Sequence, residues 1–239
     1  MKVFYGTERD YLLIAAAEAL FHVAAHVALG HVFRVPYQQR SSLLTCVASS
    51  LMTAMYVTGL WKEGLGGDLA APVQSAEIRY ALAIFWGYQI GDICSWFVVD
   101  DGRAYSTSKR ELVEATIHHS IFAIGAPIAC GSTGILHMYT AALSCEIPTI
   151  FLNIRNILPS GTKEHSLATL VFGVSFLAVR LTLIAVTVYP FYNLAVDQSL
   201  GLALRSVIFG VYVVFSALSL YWCGRVIRMA IRKPATKGD

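Results

Sequence analysis

Seven stretches of this chain are each about as long and as apolar as the hydrocarbon core of a bilayer: residues 11–35, 41–61, 80–99, 112–130, 135–158, 167–192 and 202–223. A helix needs about 20 mostly apolar residues to cross that core, and nothing else in the sequence constrains the fold as strongly. The charge content agrees. Only 14% of the 239 residues are charged, against about 25% in soluble domains. That argues against a soluble enzyme, a disordered scaffold and a nucleic-acid binder, since a net charge of +3 supplies no clustered basic surface. The expected fold is all-α: a polytopic membrane helix bundle of about seven transmembrane helices around a central polar cavity.

Residues 11–223 read as one membrane domain, between a short extramembrane segment (1–10) and a basic tail (224–239). No small-residue cleavage site follows the N-terminus, so the first stretch is expected to remain as a helix. Lysine and arginine set the orientation. If the tail and every second loop before it share one side, that side holds 11 of these residues and the other holds 4, leaving out Arg155, Arg180 and Arg205 within the stretches. The C-terminus is therefore expected in the cytosol. The five cysteines form no CxxC pair and are odd in number, so neither a disulfide framework nor a zinc ribbon is expected.

Function is sought among the residues a bilayer disfavours. An ionisable side chain at the bilayer centre costs at least about 2.5 kcal/mol, yet Glu18, His22, His26, Asp92, His118, His119, Glu146 and Arg180 all fall within the apolar stretches. At about 1.5 Å rise per residue, most of them lie in the middle to cytosolic half of the membrane. One shared polar cavity accounts for that more economically than several separately buried charges. Glu18, His22 and His26 are spaced i, i+4, i+8 along one helix face, which suits a hydrogen-bonded packing strip first and a cavity wall second. Arg180 is expected as a counter-ion to Glu146 or Asp92. His118 and His119 diverge by about 100° around a helix, so both can face one cavity only if it wraps around that helix. A neutral imidazole there can take a proton, attack a carbonyl or bind a metal.

No metal is expected. HVAAH at 22–26 has the spacing that puts two imidazoles on one helix face, but the HxxHH boxes of membrane di-iron enzymes are missing: Ala115 stands where the extra histidine belongs. HExxH, GxSxG and a nucleotide-binding glycine loop are also absent.

Three segments, GYQIGDICSWF (87–97), EATIHHSIFAIG (114–125) and SCEIPTIFLNIRNIL (144–158), occur in an order and spacing that resembles the TLC-domain family. That family includes the ceramide synthases, the translocating-chain-associating membrane proteins and small TLC-domain-containing proteins. The Glu-Ile-Pro-Thr-x-Phe-Leu-Asn pattern, with Asn153, is similar to the small branch. Counted from His118, the His-Asp-x-x-Asp stretch of ceramide synthases falls on Cys145, Glu146 and Thr149, so one acid is kept and one is missing.

The resemblance implies a membrane protein of lipid homeostasis, in the endoplasmic reticulum, that binds or senses lipid in an intramembrane cavity. It also implies an alternative, an acyltransferase moving an acyl group from acyl-CoA to a lipid amine, as in sphingolipid synthesis. A cargo or translocation role is a third. For catalysis it assigns His118 and His119 as acyl acceptor or general base, Glu146 as the group that orients an imidazole, and Asp92 as the family's intramembrane acid. His22, His26, Arg180 and Asn153 are expected to line the cavity. The expected partners are membrane lipids and, for the enzyme reading, acyl-CoA as substrate, with no nucleic acid and no cofactor. Gly87 and Gly91 permit close helix approach, within the chain or in a homo-oligomer.

Overall fold

The computed structural model describes residues 8–63, 75–99, 109–130, 141–197 and 201–231. The tail from 232, residues 131–140 with the first six of the fifth stretch and His137, and the Asp100–Asp101 pair lie outside the described residues. Those described form α-helices with no strand: α1 (Glu8–His31), α2 (Tyr37–Glu63), α3 (Ala76–Cys94), α4 (Lys109–Cys130), α5 (Glu146–Ile157), α6 (Lys163–Val196) and α7 (Leu202–Ile231). Four of them are long and apolar enough to cross a membrane, over Arg9–His31, Gln38–Glu63, Lys163–Tyr189 and Leu202–Ile231. The other three are the polar or short ones. Glu77, Arg79 and Asp92 dilute α3, while Lys109, Arg110, Glu111 and Glu114 dilute α4. α5 has only 12 residues.

Local chemistry explains several boundaries. Ser75 caps α3, accepting from the Ile78 N–H at 3.4 Å, and Thr162 caps α6, accepting from His165 at 3.1 Å. Gly161, between α5 and α6, has φ 87°, a conformation that costs glycine little. A 3₁₀ turn over Leu143–Cys145 runs directly into α5. Pro148, in the first turn of α5, has no N–H to give the Ser144 carbonyl, so the regular ladder cannot continue there. α3 ends in a π-helical turn, Ser95–Val99, that places Trp96 in the interior. At the other end of α3, Lys62 donates to Glu77. That hydrogen bond, helped by Ser75, pulls the Glu77 carboxyl from its ordinary 4.5 down to about 2.

Packing neighbours define a ring. α3 packs on α2, α2 on α5, α5 on α6, α6 on α7, α7 on α4, and α4 returns to α3. α1 stands outside this ring, laid mainly along α3. Gly87 and Gly91 make that approach possible. A Cβ on Gly87 would fall on the Ala15 carbonyl and 2.7 Å from Glu18 Cβ, and one on Gly91 would sit 2.8 Å from His22 Cβ. α3 is thus covered on several sides, with buried residues from Ile78 to Asp92 all round it.

The ring is packed at one end and hollow at the other. Met52, Ile78, Leu82, Phe85, Phe122, Leu143 and Ile208 fill the end formed by the beginnings of α3 and α7. The outside is apolar. Leu20, Phe21, Leu167, Leu170, Val174, Leu181 and Phe209 all lie exposed, an inversion of soluble surfaces that suits hydrocarbon contact.

Candidate functional site

The hollow end is a cavity of about 840 Å³. Every helix of the ring lines it, and α1 does not. Thr45 comes from α2, Gln89 and Asp92 from α3, His118 and His119 from α4, Glu146 and Asn153 from α5, Phe176 and Arg180 from α6, and Trp222 from α7. Gln38 at the start of α2, Ser160 in the α5–α6 turn and Met229 near the end of α7 also line it. It therefore extends to the end of the ring where α7 finishes. Glu114 of α4 and Arg225 of α7 pair there at 3.3 Å.

Asp92 is 2% exposed and sits between two imidazoles. His22 Nε2 lies 3.5 Å from its Oδ1, and His119 Nδ1 lies 3.5 Å from its Oδ2. His119 thus turns one nitrogen to the acid and keeps Nε2 on the opposite edge of its ring. Trp96, delivered by the π-helical turn, packs against that ring with centroids 4.8 Å apart. His118 and His119 both reach the cavity, which curves around α4. The His118 ring meets Phe122 and Trp222 edge-on, with centroids 4.9 and 5.0 Å apart.

Glu146 is held by Ser49 of α2, whose hydroxyl donates to Oε2 at 2.6 Å. Asn153 donates from Nδ2 to the Thr149 carbonyl at 2.8 Å, one turn back along α5, which leaves its side-chain oxygen for the cavity. Tyr88 donates to Thr45 at 3.3 Å and Trp86 to the Ala123 carbonyl at 2.9 Å, tying α3 to α2 and α4.

Two expectations need correction. His22 and His26 do not line the cavity. They are buried behind Asp92, 1% and 0% exposed, because α1 packs outside the ring. Arg180 is not a counter-ion in contact with Glu146 or Asp92. Among the described residues its polar contact is a hydrogen bond from Nη1 to Ser219 at 3.3 Å. Its guanidinium otherwise faces the rings of Phe176, Phe215 and Trp222, with its carbon 5.3 to 5.6 Å from their centroids. Arg180 and Glu146 line the same cavity without touching, and Ser49 instead donates to Glu146.

Ser49, Trp96, Ser219 and Trp222 were not readable as site residues. A serine or tryptophan in an apolar helix carries no mark of the side chain it will meet. Gln89 and Tyr88, within GYQIG, had a signal in their polarity alone.

Helices with apolar outer faces, four of them long and apolar enough to cross a bilayer, mark this molecule as a helical membrane protein. The TLC domain profile matches residues 39–228, and the chain belongs to the TLC-domain family. No curated protein and no solved structure matches it. The matched region takes in the whole ring and begins beyond α1, the helix that supplies His22 and His26.

Proposed function

We propose that this protein serves lipid homeostasis by binding a membrane lipid in the ring's cavity, with an anionic part of the lipid head against Arg180. In this reading all seven helices cross or enter the bilayer, which here is the endoplasmic reticulum membrane. The cavity lies at their centre, and its mouth and the C-terminus face the cytosol. Arg180 carries the argument. It is 5% exposed, lines the cavity and has no acid within ion-pairing distance among the described residues. Burying an ion costs several kcal/mol unless a partner offsets it, and cation–π contacts return only about 1–2 kcal/mol. A phosphate or carboxylate would offset the remainder, and a guanidinium binds either in bidentate fashion. The volume falls within the roughly 300–1,000 Å³ of ordinary ligand cavities.

The test is lipid retention. Native mass spectrometry of the protein from nanodiscs holding equal phosphatidylserine and phosphatidylcholine should show the anionic lipid retained. Arg180→Met should lower that retention at least tenfold. Equal retention of both lipids by the parent protein and the variant would overturn the reading.

The Asp92–His119 pair favours a second reading, acyl transfer. A carboxylate near one ring nitrogen favours the proton there and leaves the other nitrogen free to attack. Nε2 of His119, or a nitrogen of His118, would attack the thioester carbonyl of acyl-CoA. The N–C bond forms, the C–S bond breaks, and the CoA thiolate leaves and takes up a proton. A lipid amine then accepts the acyl group and releases the imidazole. After exposure to palmitoyl-CoA, intact mass should show an acyl adduct that His118→Ala or His119→Ala removes. No adduct and no release of CoA would overturn this reading alone.

A further inference from the structure

The HVAAH segment has no partner box in the sequence, but the fold gives it one. His22 and His26 stand one turn apart on α1, and α3 brings Asp92 up to them. One ligand atom from each of the three lies within 4.8 Å of the other two, and all three residues are buried. The joint that assembles them is tight, since His22 Cβ comes within 2.8 Å of where Gly91 would carry a Cβ.

We propose that His22, His26 and Asp92 form a zinc site that pins α1 to the outside of the ring. Two imidazoles on one helical turn plus a carboxylate from another helix make a donor set well suited to zinc. Four ligands about 2.0–2.1 Å from a zinc ion sit about 3.4 Å from one another. His22 Nε2 and Asp92 Oδ1 are 3.5 Å apart. Among the described residues neither atom has a hydrogen-bond partner, although both are fully enclosed. A separation that fits a shared metal and is long for a hydrogen bond is the central observation. The His26 donor lies within 4.8 Å of both.

The surroundings are compatible with a cation. His119 Nδ1 approaches the other carboxylate oxygen, Oδ2, at 3.5 Å. It is placed as the outer partner that commonly orients a metal-bound carboxylate. The positive side chain of Arg40 comes up to α1, where its Nη1 donates to the His26 backbone carbonyl at 3.3 Å. A fourth ligand, water or a further side chain, would complete the tetrahedron. Because α1 stands behind Asp92, the ion would sit outside the cavity wall and act as a structural clamp. It would fix the direction in which Asp92 meets His119.

Metal content tests this without reference to lipid or acyl chemistry. Full-length protein purified in detergent without chelators should carry close to one zinc per chain by elemental mass spectrometry. His22→Ala and Asp92→Asn should lower that at least tenfold, and His118→Ala should leave it unchanged. Should the variants fail to fold, the parent protein decides alone. Stripped with a chelator and reloaded with cobalt(II), it should show the visible d–d absorption of a tetrahedral site, lost on adding zinc. Less than a tenth of an equivalent of any first-row metal, with no cobalt band, would overturn the site. Stoichiometric iron through the same residues would overturn the zinc assignment.

Discussion

Two buried polar clusters face each other across the ring, and they resolve their charge in opposite ways. At the α1–α3 joint an acid, Asp92, is surrounded by imidazoles at 3.5 Å that can share a proton or an ion with it. On the α6–α7 wall a base, Arg180, is surrounded by aromatic rings and one serine. The first cluster can be neutral within the chain. The second is a permanent cation with no acid in direct contact among the described residues. On the lipid-binding reading proposed above, the acidic cluster belongs to the architecture and the basic one to the ligand.

The sharpest way to break this contrast is at the joint. Gly87→Leu should push α1 off α3 and cost about 3 kcal/mol, as overpacking of a tight contact does. The thermal midpoint in detergent would fall and the protein would lose yield. Asp92→Ala strands two enclosed imidazoles and should cost about 2 kcal/mol, read by the same melt. Arg180→Met should do the reverse in lipid-free detergent. Replacing an uncompensated buried ion by an apolar chain of similar volume should raise stability by about 1 kcal/mol and abolish selective retention of anionic lipid. A fall in stability as large as that of Asp92→Ala would remove the distinction between the clusters.

Smaller effects calibrate the scale. Ser49→Ala removes the hydrogen bond to Glu146 and should cost about 1 kcal/mol. The exposed Lys62–Glu77 pair at the far end of α3 gives the smallest change. Its carboxyl is held near 2 against an ordinary 4.5. The stabilisation it provides is full above pH 4.5 and is lost as the pH falls from about 4.5 toward about 2. Glu77→Gln should lower the melt slightly at pH 7 and flatten its acid limb, so that parent and variant converge as the pH falls toward about 2.

Much of the site was legible because polar residues in apolar helices are conspicuous. Asp92, His118, His119, Glu146, Asn153 and Arg180 stood out by composition or family pattern, and all six reach one cavity. The helices were legible for the same reason. Their ends were harder: α2 begins at Tyr37 and α7 runs to Ile231, where charged residues extend a helix past its apolar stretch. Glu146 appeared to lie mid-span, whereas it opens α5 after the 3₁₀ turn. A proline in the first turn marks that start, but it could as well have marked a kink.

Which side chains meet is a different kind of information. Hydropathy is a sum over neighbours in sequence, so it determines that these segments are helices suited to a bilayer and that certain residues must escape hydrocarbon. The sequence alone also determined the family, through three motifs in a fixed order. Only the tertiary structure decided that α1 lies outside the ring, which sets His22 and His26 behind Asp92 and away from the cavity. Only it decided that Arg180 finds aromatic rings and no acid. Partners across helices depend on crossing positions fixed by small residues such as Gly87 and Gly91, and a displacement of one helical turn would change every pairing.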